Sequence, residues 1–275
     1  MFKPVAFGAG GSESDVRGMV PPIRTHAEVA EDVASGPLAP SRAQAGEAAL
    51  YVGVGIPLAL AFASIPFLCL MGWFLSSLFH EFGHTVFAWF TGHPSFPAIS
   101  LAGHAAAVHG KPLLLVRLVV VAAVVALAVR LLSGAQRVAV IGVFLASYGL
   151  LVGTSLVEIG FLVSGHLGEL IAASLCLWRA ADGENCHSNA ERAAYAMLGW
   201  YLIGDNLALS FGLAFRPEAR AEYAASGSFG LTNDYLRLAT EHVGLTLAQV
   251  GFLMGLVALA VPALTLGAFA LRERR

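Results

Sequence analysis

The residues best placed for chemistry are His80-Glu81-Phe82-Gly83-His84, a His-Glu-x-x-His string inside an apolar run. On a helix, positions i and i+4 share a face, so the imidazoles of His80 and His84 project together and suit a single zinc ion. Glu81 lies about 100° round the helix from His80, still within reach of a water attacking beside that ion. Glu158, His166, Glu169 and Asp205 also fall inside apolar runs. An ionisable side chain at the centre of a bilayer costs roughly 2.5–3.5 kcal/mol on insertion scales, so such residues mark function and should face one another. A shared metal is one economical way to satisfy several of them. Catalytic zinc usually takes three protein ligands and keeps one position open. The leading candidates for the third ligand are His166 and Glu169, which share a helix face at i and i+3, with Asp205, Asp182 or no third residue behind them. Whichever of His166 and Glu169 does not ligate can orient a ligand by hydrogen bond. The alternative is a buried polar pair that fixes helix packing.

The elements that must position these residues follow from composition. Of the 275 residues, 57% are hydrophobic and 12% charged, against about 25% charged in an ordinary globular domain. The expected fold class is all-α, a polytopic transmembrane helix bundle with six or seven spans, integral to a cell or cytoplasmic membrane. Residues 1–47 read as a polar, disordered tail without a signal peptide, 48–271 as the transmembrane domain, and 272–275 as a basic end. The apolar stretch Ala48 to Phe90 is two spans long and should break near Pro66, a single kinked helix being the alternative. A loop is expected over residues 93–112, with a short extended piece at Ala98-Ile99-Ser100-Leu101. Spans follow from Leu113 to Leu132, twice between Val138 and Leu177 with a break near Ser164-Gly165, from Ala193 to Phe215, and from Val243 to Leu271. Residues 216–242 read as polar and interfacial. Arg272, Arg274 and Arg275 favour a cytoplasmic C-terminus.

Phe79 to Ala88 (Phe-His-Glu-Phe-Gly-His-Thr-Val-Phe-Ala), followed by Phe90-Thr91-Gly92, resembles the site-2 protease family of intramembrane zinc metallopeptidases. The resemblance covers about residues 70–100 and implies His80 and His84 as zinc ligands and Glu81 as the catalytic carboxylate. It also implies that the substrates are membrane-spanning helices of other proteins. The family takes its third ligand from the Asp of a Leu-Asp-Gly motif, with an Asn-x-x-Pro motif nearby. This chain has neither; its closest string is Ala181-Asp182-Gly183, and Asn206 is a candidate for the missing Asn.

The expected activity is therefore zinc-dependent peptide hydrolysis within the bilayer. Glu81 would take the proton of the attacking water and pass it to the departing amine. The segment Pro97 to Leu101 is a candidate to hold the substrate as an added strand. Alternatives are a divalent-metal transporter, and an inactive relative that binds membrane proteins without cutting them. A net charge of −2 offers no basic field for nucleic acid, and no nucleotide-binding domain is expected. Cys69, Cys176 and Cys186 form no Cys-x-x-Cys pair, and His93, His104 and His109 read as interfacial histidines.

Overall fold

The computed structural model describes residues 42–100, 104–184, 186–226 and 233–272. Among the described residues are nine α-helices: α1 (Arg42–Ser64), α2 (Pro66–Phe90), α3 (Leu114–Leu131), α4 (Gly134–Gly153), α5 (Leu156–Asp182), α6 (Asn189–Phe215), α7 (Pro217–Ala225), α8 (Asp234–Arg237) and α9 (Leu247–Arg272). A π-helical stretch, Leu238–Val243, follows α8. A small antiparallel hairpin of β1 (Ser95–Ser100) and β2 (His104–His109) pairs Ser95 with His109 and Ser100 with His104. Of the expected tail, residues 1–41 lie outside the described residues, and 42–47 already belong to α1.

Five helices (α1 from Gly46, α3, α4, α5 and α9) are long and apolar enough to cross a membrane. Helices α2 and α6 are as long, at 25 and 27 residues. They fall short in apolarity because they carry His80, Glu81, His84, Asp205 and Asn206.

The break between α1 and α2 falls where the sequence places it. Proline has no N–H to lose at the first helical position, and it pushes the preceding residue out of the helical region. Ile65 is accordingly extended, with φ −92° and ψ 118°. The expected break near Ser164-Gly165 is overturned: α5 runs through both residues, and the chain interrupts at Thr154-Ser155 instead. There the Thr154 hydroxyl bonds the Leu150 carbonyl and takes the Leu156 N–H. Ser164 and Gly165 are small because another helix lies against them. The loop expected over residues 93–112 also changes, becoming in large part the β1–β2 hairpin; Leu101 lies outside the described residues.

Helix α6 is the central post, packed by α1, α5 and α9, while α2 lies along α5. The core between α1, α5 and α6 is rich in alanine (Ala48, Ala59, Ala173, Ala180, Ala196), with Leu177 and Leu202 filling the gaps. Small side chains let backbones approach where lipid gives no hydrophobic drive for association. A second cluster joins Leu162, Leu213, Val250 and Met254 to Tyr235, Leu238 and Ala239. It anchors α8 and the π-helical stretch against α5, α6 and α9. Helices α3 and α4 are only 6% buried, as apolar helices facing lipid would be.

The contact that positions the site is between α2 and α5. A Cβ on Gly83 would run into the carbonyl oxygen of Ser164 and come within 2.9 Å of the Gly168 Cα. The two backbones therefore touch, with no side chain between them. Gly83→Val is expected to separate the helices and to lower the thermal unfolding midpoint in detergent, with a loss of about 1–3 kcal/mol or more for overpacking a tight core.

Candidate metal centre

One face of α2 presents Trp73, Ser76, Ser77, His80 and His84, at helical spacing, to a cavity of about 370 Å³. Glu81 lines it from the edge of that face. Phe161, Leu162, His166 and Glu169 line it from α5, Asp205 and Leu209 from α6, and Ala105, Ala106, Ala107 and His109 from β2. Tyr223, Asn233, Asp234 and Arg237 complete the wall. Of the seven ionisable residues expected inside spans, six line this one cavity. The seventh, Glu158, is exposed and faces His242 at 3.7 Å.

The tightest grouping is a triangle of electron-pair donors. His80 Nε2 lies 3.0 Å from His84 Nε2. Asp234 Oδ2 lies 3.3 Å from the first and 3.1 Å from the second. A tetrahedral ion bonded at roughly 2.0–2.1 Å to nitrogen and oxygen would hold its ligand atoms about 3.3–3.4 Å apart. A wider group, with one donor atom each from His80, His166 and Asp234 within 4.8 Å of one another, could also hold a metal ion. The two groups share His80 and Asp234, and the first lies nearer to the spacing that one small ion would impose.

The backbone beside the rings is cut away to match. A Cβ on Gly165 would collide with His80 Nε2 and lie 2.5 Å from His84 Nε2. Any residue but glycine at this point of α5 would fill the space around the donor atoms, so the chemistry and the shape of the pocket both fit a bound cation.

Around the donors sits a shell of hydrogen-bond partners. His84 Nδ1 is 3.1 Å from Ser164 Oγ. His80 Nδ1 faces Glu169 Oε1 at 3.4 Å, and His166 Nδ1 faces Glu169 Oε2 at 3.5 Å. Asn206 donates its amide N–H to Glu169 Oε2 at 2.5 Å, and Ser76 Oγ lies 3.0 Å from Glu169 Oε1 and 2.9 Å from Asp205 Oδ2. Glu169 is 5% exposed. A buried carboxylate survives there because three helices supply it with donors. Glu81, 6% exposed, lies among these groups, yet its carboxylate takes no hydrogen bond among the described residues.

Asp234 was not among the sequence candidates. It lies in the segment expected to be interfacial, at the first turn of α8, and reaches the cavity because Tyr235, with no exposed surface, anchors that turn in the core. The apolar positions 235, 238 and 239, at helical spacing in a polar stretch, are the signal that a buried turn lies here. Burial by itself would raise the Asp234 carboxyl, but the hydrogen bonds and charges of His80 and His84 outweigh it and hold the group well below the usual carboxylate range. Asp182 is elsewhere, at the end of α5, taking an ion pair from Arg272 at 3.1 Å.

Fold and cavity together define a helical bundle, with five helices apolar enough to cross a membrane, built around a group that could hold a metal ion. Comparison with known protein families, with curated proteins and with solved structures finds no match. Asp234→Ala is expected to weaken metal binding by more than the roughly 10–100-fold that loss of an orienting partner costs, and Glu169→Gln by about that range. Asp182→Asn should leave it unchanged. Titration of the purified chain with a competing chelator distinguishes the three.

Proposed function

We propose that this chain is an integral, multi-pass membrane zinc metalloprotease of the site-2 protease kind, cutting peptide bonds in or near the membrane-spanning segments of other proteins. One observation carries the reading. The two histidines of the His-Glu-x-x-His string converge with a distant carboxylate, Asp234, at 3.0–3.3 Å, while the string's own Glu81 lies in the same cavity. His80, His84 and Asp234 would hold the ion. Zinc there would supply Lewis acidity, making water a nucleophile near neutral pH and polarising the scissile carbonyl.

The residues divide the remaining work. Glu81 takes the proton of the attacking water, then delivers it to the amine nitrogen as the carbon–nitrogen bond breaks. Glu169 accepts from Nδ1 of His80 and so fixes which ring nitrogen faces the ion. Ser76, Ser77 and Asp205 give water a polar route into an otherwise apolar bundle.

A helical substrate must unwind before its carbonyl can be attacked, and an extended segment can be held as an added strand. The sequence pointed to Pro97–Leu101 for this purpose; the strand that borders the cavity is β2. Its Ala105, Ala106 and Ala107 are small enough to let a substrate backbone come close.

A transporter would spread its donors along a path at several depths; here they converge on one point. Reconstituted with a membrane-spanning reporter substrate, Glu81→Gln should retain one metal ion per chain and lose about 10²–10⁴-fold in cleavage rate, the usual contribution of a general acid–base group. Zinc flux into vesicles without cleavage by the wild type would replace this reading with transport.

A further inference from the structure

We infer that His166 is a fourth metal ligand, one that closes the resting site and must leave before the ion can act on a substrate. The inference rests on the reading of the cavity as a metal centre and adds a regulatory element to it.

The argument starts from Asn206. Its amide nitrogen donates to Glu169 Oε2 at 2.5 Å and to the Leu202 carbonyl at 3.1 Å. Turning the amide round would set its oxygen against a carboxylate and a carbonyl, three acceptors with no proton between them. The oxygen of Asn206 must therefore be the atom facing His166 Nδ1, at 3.2 Å. The second neighbour of that nitrogen is Glu169 Oε2, at 3.5 Å. Both neighbours are acceptors, so Nδ1 carries the hydrogen. A neutral imidazole has one N–H, and Nε2 is left with a lone pair.

That lone pair is unspent. His166 is 5% exposed, and its Nε2 takes no hydrogen bond among the described residues. The ring is held by Tyr235, at 4.2 Å between centroids, and by the edge of His80, at 4.5 Å. It lines the cavity, and a donor atom of His166 falls within 4.8 Å of those of His80 and Asp234. His84 Nε2 lies 3.0 Å from His80 Nε2 and 3.1 Å from Asp234 Oδ2, so the two groups of donors meet at His80 and Asp234. A cation held by His80, His84 and Asp234 gains His166 as a ligand once that ring moves inward.

Three protein ligands leave a zinc ion one open position; four leave none. The triangle of His80, His84 and Asp234 is already at bonding separation. His166 stands further out, within 4.8 Å of His80 and Asp234, and joins or leaves by a movement of its ring. Its other ring face and Nδ1 stay tethered by Tyr235, Glu169 and Asn206, so that departure is reversible and short.

The test is X-ray absorption at the zinc edge, on the full chain in detergent loaded with zinc alone. The wild type should show three imidazoles in the first coordination shell. His166→Gln should show two, with one ion per chain retained by His80, His84 and Asp234; His166→Asn serves if the first variant does not fold. Two imidazoles in the wild type, or a count that His166→Gln does not change, would overturn the assignment of His166 and leave the metal centre standing. A wild type that binds no stoichiometric zinc would overturn the metal centre itself, and the assignment with it.

Discussion

Two backbones in contact set how the histidines of α2 meet the polar residues of α5. Gly83 on α2 rests against residues 164–168 of α5, with Gly168 opposite it and Gly165 one turn back. Imidazole and carboxylate side chains are short, so donors on separate helices meet only if the axes come close. The absence of Cβ atoms brings His80 and His84 to the surface of α5, where Ser164, His166 and Glu169 can reach them. Removing side chains at the contact forgoes apolar packing, which alanine-rich interfaces elsewhere in the bundle restore.

The second constraint is the cost of polar groups among apolar helices. Glu169 shows how it is met. One carboxylate serves His80, His166, Asn206 and Ser76, contributed by α2, α5 and α6. Each donor is oriented by the same acceptor, so the network specifies a single packing of three helices as well as a single ring orientation for the histidines. Asp234 enters from the opposite wall. The element that carries it is too short to be stable alone, and its place depends on Tyr235, Leu238 and Ala239 in the core. The bundle thus divides into a tightly packed half around α6 that builds the cavity, and the α3–α4 pair, which is largely apolar surface and braces the end of α2 through Arg117 and Tyr148.

The position of β2 links this scaffold to the chemistry. A hairpin beside a buried cavity offers hydrogen-bonding edges in a setting where helices have none to spare. The register Ser95–His109 places the alanines of β2 at the cavity wall and carries β1 on the other side. His109, an interfacial histidine by its sequence setting, stacks on Phe161 at 5.0 Å and joins that wall.

What was readable in the chain itself is local. Apolar runs of span length marked the helices, and proline marked the first break, because both act within a few residues. His80, Glu81 and His84 fall on one side of a helix, and His166 pairs with Glu169, because helical periodicity fixes relations one turn apart. Ser164-Gly165 was misleading, since small residues signal both a break and a close contact, and only the neighbouring helix decides which. Asp234 was only half legible for the same reason: apolar positions 235, 238 and 239 mark a buried turn but not where its carboxylate goes. It meets His84 across 150 residues of sequence, and no local pattern separates a carboxylate held in the cavity from one left in water. Tertiary packing made that choice by burying Tyr235 and bringing two glycine-lined backbones together.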